Sequence, residues 1–235
     1  MGDSTPMKPG RVEAFSDGVI AIIITIMVLD LHASDRGTPA ALLQQWQEIL
    51  SYAISYLMVA IYWVNHHFLF RDVRAVTNRI LWSNVGLLFA LSLVPFLTAF
   101  MGESHFTSFS VASYSGILLI CAGAWSILAA SIARTRAGDP GFARKHASAR
   151  RKNGIAAALY VLAIPGAYIA WQLGLALIFG VSVLYFLPET MLKRGAECPP
   201  DAEDEAAEHG RKAAPTPPQP TDSSQNPPDS PGPRP

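Results

Sequence analysis

Charge is scarce in this sequence: Asp, Glu, Lys and Arg make up 15% of its 235 residues, while half of the residues are hydrophobic. That balance excludes an ordinary soluble domain of this length and points to a membrane protein. Cysteine is nearly missing. Cys121 and Cys198 stand as isolated thiols, and no CxxC or Cys/His spacing provides a metal or redox site. No glycine-rich nucleotide loop, no GxSxG and no paired catalytic carboxylates are present, so no enzyme, no cofactor and no nucleic-acid partner is expected. Nothing resembles a cleavable signal peptide either. MGDSTPMKPG is polar and leads into a span opening with Glu13, so the first span is expected to stay in the membrane. The same start imitates a myristoylation signal, but Pro6 stands where that signal needs Ser or Thr.

What the sequence has instead is long apolar runs. Bounded by charge or by Gly and Pro, they give six candidate spans at about 13–31, 47–70, 80–101, 109–133, 153–170 and 173–189. The expected fold is an all-α integral membrane protein with six transmembrane helices. Only Trp171 and Gln172 separate the last two spans, which predicts a tight helical hairpin, and the sixth is short. Pro95 and Pro165 fall inside spans, where neighbouring helices in a bundle re-satisfy the carbonyls that a kink frees.

Basic residues set the orientation. Lys8 and Arg11 precede the first span, and Arg71, Arg74 and Arg79 separate the second from the third. Arg134, Arg136, Arg144, Lys145, Arg150, Arg151 and Lys152 lie between the fourth and fifth, and Lys193 and Arg194 follow the sixth. With six spans all of these share one side, the cytoplasmic one; a five-span chain scatters them. The expected organisation is a cytoplasmic N-terminus over 1–10, a membrane domain over 11–192 and a Pro-rich cytoplasmic tail over 193–235, in a multi-pass protein of the cell membrane with both termini inside. The tail is acidic, then rich in Pro, Ser and Asp, a composition that cannot offset chain entropy by burial and reads as disordered. Its PTPPQP segment reads as a solvated extension or a ligand for an aromatic groove.

The first span, RVEAFSDGVIAIIITIMVLDL from Arg11 to Leu31, carries Ser16 and Asp17 in its first third, where a carboxylate is costly. At about 100° per residue Ile22, Ile26 and Leu29 share one stripe with Thr25 beside it, and Asp17 sits about 140° round from Ile22. The aspartate therefore reads as a bracket to a neighbouring helix. Asp17 lies six residues in from Arg11, and His66 and His67 lie four or five in from Arg71, so their depths agree to within about a turn. A His/Asp pair at that level satisfies two polar groups that hydrocarbon cannot.

Plainer readings stand beside these. Ser16 and Asp17 also suit the cap of a helix starting at Gly18, and Thr25 suits a bond to a carbonyl one turn back. The adjacent histidines suit a metal or haem, for which no clear further ligand is spaced. An isoleucine stripe alone more often faces lipid or core than a pore. Asn84, Ser92, Ser110, Ser113, Ser115, Ser126 and Ser131 are small polar residues of the kind that mark helix packing. The basic segment RTRAGDPGFARKHASARRK, 134–152, reads as a solvated loop with a secondary attraction to anionic lipid.

Arg11 followed by Phe15-Ser16-Asp17 at the head of an apolar helix resembles the RxxxFSD signature of the transmembrane protein 175 family of potassium channels. WVNHHFLFR, Trp63 to Arg71, resembles that family's HH-containing second helix. The likeness covers about 11–192 and leaves out the tail. It implies a homotetramer of single six-helix units in a lipid bilayer, with the first helices lining the pore and potassium ions as the permeant species. No TVGYG filter is implied, and none is present. Ungapped from FSD, the resemblance puts the isoleucine constriction on Ile22, a selectivity threonine on Thr25, and further hydrophobic layers on Ile26 and Leu29. It also implies that Arg11, Phe15, Ser16, Asp17, His66 and His67 join a polar network that fixes the pore helix. Ala21 departs from members with a serine there, which implies weaker selectivity. The function expected is a moderately selective potassium channel with a hydrophobic gate. The alternative is a proton-coupled transporter or proton pathway using Asp17 with His66 and His67.

Overall fold

The computed structural model describes residues 9–32, 37–136, 138 and 140–186; the tail from 193 and most of the N-terminal decapeptide lie outside the described residues. Among those described, the regular elements are helices: α1 (Pro9–Leu29), α2 (Pro39–Gln44), α3 (Trp46–Phe70), α4 (Asn78–Ser92), α5 (Val94–Glu103), α6 (Ser108–Arg134), α7 (Pro140–Ile169) and α8 (Trp171–Phe186). Threonine opens three of them. Thr38, Thr77 and Thr107 each accept, on Oγ1, the backbone N–H three residues on, at 3.2, 3.3 and 3.3 Å, which satisfies one of the donors every helix start leaves over.

Among the described residues, five stretches are long and apolar enough to cross a membrane: Pro9–Leu29, Trp46–Phe70, Asn78–Glu103, Ser108–Thr135 and Ala147–Ile169. The sixth expected span corresponds to α8, an apolar helix of only 16 residues. The third is a broken rod. Pro95 has no N–H to give, so Leu93 N–H turns back to Ala90 O at 3.3 Å and the chain restarts as α5. Most of the segment expected as a loop over 134–152 is helical instead, because α7 starts at Pro140. Its alanines, arginines and lysines are good helix formers whatever their charge. Asn153 pins it to α6, donating to Ser126 Oγ at 2.6 Å and to Ala122 O at 3.3 Å.

Helix α6 is the hub, packed against α4, α5, α7 and α8, while α1 packs against α3, α4 and α5. The α7–α8 hairpin is tighter than expected, with only Ala170 between the two helices. Gly174 permits it, since a Cβ there meets Val111 Cγ1 at 2.8 Å and Ala167 Cβ at 3.0 Å. At the end of α5 the chain reverses through His105 and Phe106, both left-handed at φ 52° and 58°. Backbone bonds from Phe106 N to Met101 O (3.2 Å) and from His105 N to Gly102 O (3.0 Å) close that turn. Burial of the Phe106 ring holds it there, stacked on Trp171 at 5.3 Å and tilted against Trp46 at 5.6 Å.

Gly102 is where α5 approaches α3: a Cβ there falls 2.9 Å from Glu48 Cα, a backbone atom that cannot swing aside. Gly102→Ala is expected to lower the apparent melting temperature in detergent by the equivalent of about 1–3 kcal/mol. Gly86→Ala, where a Cβ meets nothing within 4 Å, is expected to be neutral or slightly stabilising. Thermal melts of the two variants side by side check this.

Candidate functional site

Helix α1 has a packed back and a bare front. Val12, Ser16, Ile20, Ile23 and Met27 are buried, recurring every three or four residues along one face. On the opposite face Phe15 is 61% exposed, Ile22 58%, Ile26 43% and Leu29 76%, and Gly18 and Thr25 are exposed between them. Among the described residues, no helix covers this front. Thr25 Oγ1 donates to Ile22 O at 2.9 Å, so the bond to a carbonyl one turn back is present, and the oxygen's lone pairs stay on the uncovered side.

The back is held at two levels. Near the N-terminal end, Ser16 Oγ lies 2.8 Å from Val12 O, Asn84 Nδ2 lies 2.8 Å from Ser16 Oγ, and His66 Nε2 lies 2.8 Å from Asn84 Oδ1. A carbonyl can only accept. Ser16 therefore donates to Val12 and accepts from the Asn84 amide, whose oxygen in turn accepts from His66 Nε2–H. His66 is 1% exposed, and its Nδ1 is buried without a hydrogen-bond partner, so a second ring proton has no acceptor. Two further contacts flank this chain. Trp63 Nε1 donates to Asp17 Oδ1 at 3.0 Å, and His67 Nδ1 meets Glu13 Oε1 at 2.9 Å with the ring still half-exposed.

The second level lies at the other end of α1. Tyr114 OH is 2.7 Å from Ser55 Oγ, Ser55 Oγ is 2.7 Å from Thr98 Oγ1, and Thr98 Oγ1 reaches Val94 O at 2.8 Å. Ser55 Oγ thus sits between two hydroxyls, and the single proton of Thr98 is placed to go to Ser55 Oγ or to Val94 O. Met27 Sδ of α1 lies against this chain, 3.9 Å from Thr98 Oγ1. Both levels thus join α1 to α3 and to the α4–α5 rod.

Several expectations change. The direct Asp17–histidine pair does not form: Asp17 takes Trp63, His67 takes Glu13, and His66 takes Asn84. Partners so close in depth are sorted by the rotation of α3, which brings Trp63 to Asp17 and turns His66 inward. The reading of Ser16 and Asp17 as a cap fails, since α1 already begins at Pro9. Arg11 is exposed and Phe15 lies on the bare front, outside the hydrogen-bonded group. The two histidine rings face different partners and do not converge on one point. Cys121 is a buried free thiol. Glu13, Asn84 and Trp63 enter as residues that sequence reading did not nominate for the site; Asn84 was marked only as a packing residue.

Comparison with known proteins identifies relatives of this arrangement. The family described as "Endosomal/lysosomal potassium channel TMEM175" matches residues 11–95. A potassium channel of Chryseobacterium sp. (strain P1-3) is 38% identical over 188 residues, covering 80% of this chain and 97% of the relative. The endosomal/lysosomal proton channel TMEM175 of Homo sapiens is 37% identical over 100 residues, 37% of this chain and 19% of that protein. Among solved structures, the lysosomal potassium-selective channel TMEM175 homolog from Chamaesiphon minutus superposes with a TM-score of 0.68 at 27% identity, covering 75% of this chain and 95% of that one.

Asn84 is the bridge of the first level, so Asn84→Leu strands His66 and cuts the link from Ser16 to α4. It is expected to cost about 1–3 kcal/mol of stability, and a Ser16→Ala/Asn84→Leu double-mutant cycle in detergent is expected to show coupling of about 0.6–1.7 kcal/mol. Asp17→Asn keeps an acceptor for Trp63 and is expected to melt close to wild type, whereas Asp17→Leu is not.

Proposed function

The chain belongs to the TMEM175 family, and on that premise we propose that it is a potassium-conducting channel whose ion path is lined by α1. The observation that carries the proposal is the division of α1. Glu13, Ser16 and Asp17 are bonded to neighbouring helices, and the side left open is the stripe of Ile22, Thr25, Ile26 and Leu29. A lone helix with such a face needs other copies around it. Four chains with their α1 fronts turned to a common axis supply them, in a homotetramer of six-helix units embedded in the cell membrane with both termini cytoplasmic.

In that assembly a ring of Ile22 forms the constriction and gates by dewetting: narrow and apolar when closed, hydrated and conducting when α1 splays slightly. Ile26 and Leu29 add apolar layers towards the far side. Thr25 sits one turn beyond Ile22 with its proton engaged by Ile22 O, so its oxygen is free to replace water around a cation and to favour potassium over sodium. The hydrogen-bonded levels behind the helix limit how far it splays. Relatives named as channels support transport in place of catalysis.

A proton pathway through Asp17 and the histidines is the weaker reading. Asp17 is bonded to an indole that does not relay protons, and the His66–Asn84–Ser16 chain ends on the Val12 carbonyl.

Purified protein in liposomes with an outward potassium gradient and a voltage-coupled proton dye tests the proposal. Wild type is expected to pass potassium, and Ile22→Asn to pass more of it with poorer discrimination against sodium. Correctly assembled protein without potassium flux in either form, or Ile22→Asn behaving as wild type, contradicts the hydrophobic constriction.

A further inference from the structure

The bare front of α1 does not stop at the constriction. Its exposed positions Arg11, Phe15, Gly18, Ile22, Thr25 and Leu29 follow steps of four and three residues in alternation, the heptad spacing by which parallel helices face one another along a seam. Phe15 lies seven residues before Ile22, about 20° from it around the helix and roughly 10 Å towards the N-terminal end. It is 61% exposed although its three polar neighbours Glu13, Ser16 and Asp17 are all turned aside and bonded. The sequence thus places a large ring on a face that no other described residue covers, with the polar groups adjacent to it in the chain turned away from that face.

We propose that Phe15 lines the ion path as a second apolar ring, forming its inner mouth two helical turns on the cytoplasmic side of Ile22. The inference rests on the channel reading and deepens it. Continuity of the seam argues for other copies of α1 around this face, because a lipid-facing surface has no need of a heptad register or of Gly18 and Thr25 within it. Four phenyl rings with Arg11 one turn further out make the inner mouth narrow and poorly hydrated, so ions meet resistance there in series with the Ile22 constriction. The signature motif then does two tasks with three adjacent residues: Ser16 and Asp17 hold the helix from behind while Phe15 shapes the path in front.

Single-channel recording of the full chain in planar bilayers tests this. Phe15→Ala is expected to raise unitary potassium conductance and Phe15→Trp to lower it. In Phe15→Cys, a charged methanethiosulfonate reagent added on the N-terminal side is expected to cause loss of current, with Ile23→Cys, buried on the back of α1, unaffected. Size-exclusion profiles matching wild type establish assembly of each variant, and Phe15→Leu, close in apolarity, is expected to stay nearest wild type. Conductance unchanged in Phe15→Ala and Phe15→Trp together with no effect of the reagent on Phe15→Cys overturns the proposal and turns Phe15 towards lipid. If those results come with wild-type potassium current that still responds to Ile22→Asn, the channel reading survives; assembled wild type without potassium current overturns both.

Discussion

Hydrocarbon offers no hydrogen bonds, so every polar side chain on the back of α1 must be satisfied by a neighbouring helix. Asn84 carries most of that demand. Its amide is one of the few groups that can give to Ser16 and take from His66 at once, and it does both at 2.8 Å. A leucine there leaves the imidazole without a partner and the Ser16 hydroxyl with only the Val12 carbonyl of its own helix, and a serine is too short to span them. Because the chain of protons ends on Val12 O, the direction of every bond is fixed and only one arrangement of the three side chains satisfies all of them. Burying such a group without completing it is costly, which makes the contact as much a choice of rotation for α1 as a source of stability.

Rotation is what decides the front. With Ser16 turned to Asn84, Ile20, Ile23 and Met27 follow it into the core, and Ile22, Ile26 and Leu29 are left outside. The second level, from Tyr114 through Ser55 to Thr98, restrains the far end through Met27 by a sulfur contact alone. The two ends of α1 are therefore held unequally: three polar links near the N-terminal end, one soft contact near the other. The rod against which α1 packs is itself interrupted at Leu93, between α4 and α5. A helix tied firmly at one end and loosely at the other moves most at the loose end, and that end carries Leu29.

The sequence made the stripe legible because an unbroken apolar run leaves helical periodicity as its only variable. Five of the six expected spans were legible for the same reason; the sixth falls on α8, whose 16 residues fall short of the others. Partners were harder. Glu13, Ser16 and Asp17 occupy a single turn, as do Trp63, His66 and His67, and depth alone cannot pair three candidates with three others. Tyr114, Ser55 and Thr98 were invisible as a group, since an isolated hydroxyl in an apolar run looks the same whether it bonds its own helix or another. In the basic segment 134–152, most of which forms the start of α7, charge points to loop while residue type favours helix. Phe15 was assigned by its motif to the polar network, while its position in the heptad seam assigns it to the front.

The proposed channel requires that one face of α1, and only that face, meet the ion path. The most direct test replaces residues 20 to 29 one at a time with cysteine and follows potassium current through reconstituted protein before and after a water-soluble thiol reagent. Ile22, Thr25, Ile26 and Leu29 as cysteines are expected to change the current on modification, while Ile20, Ile23 and Met27 are not. Response at the buried positions, or silence at all four front positions with only lipid-soluble reagents labelling them, contradicts it.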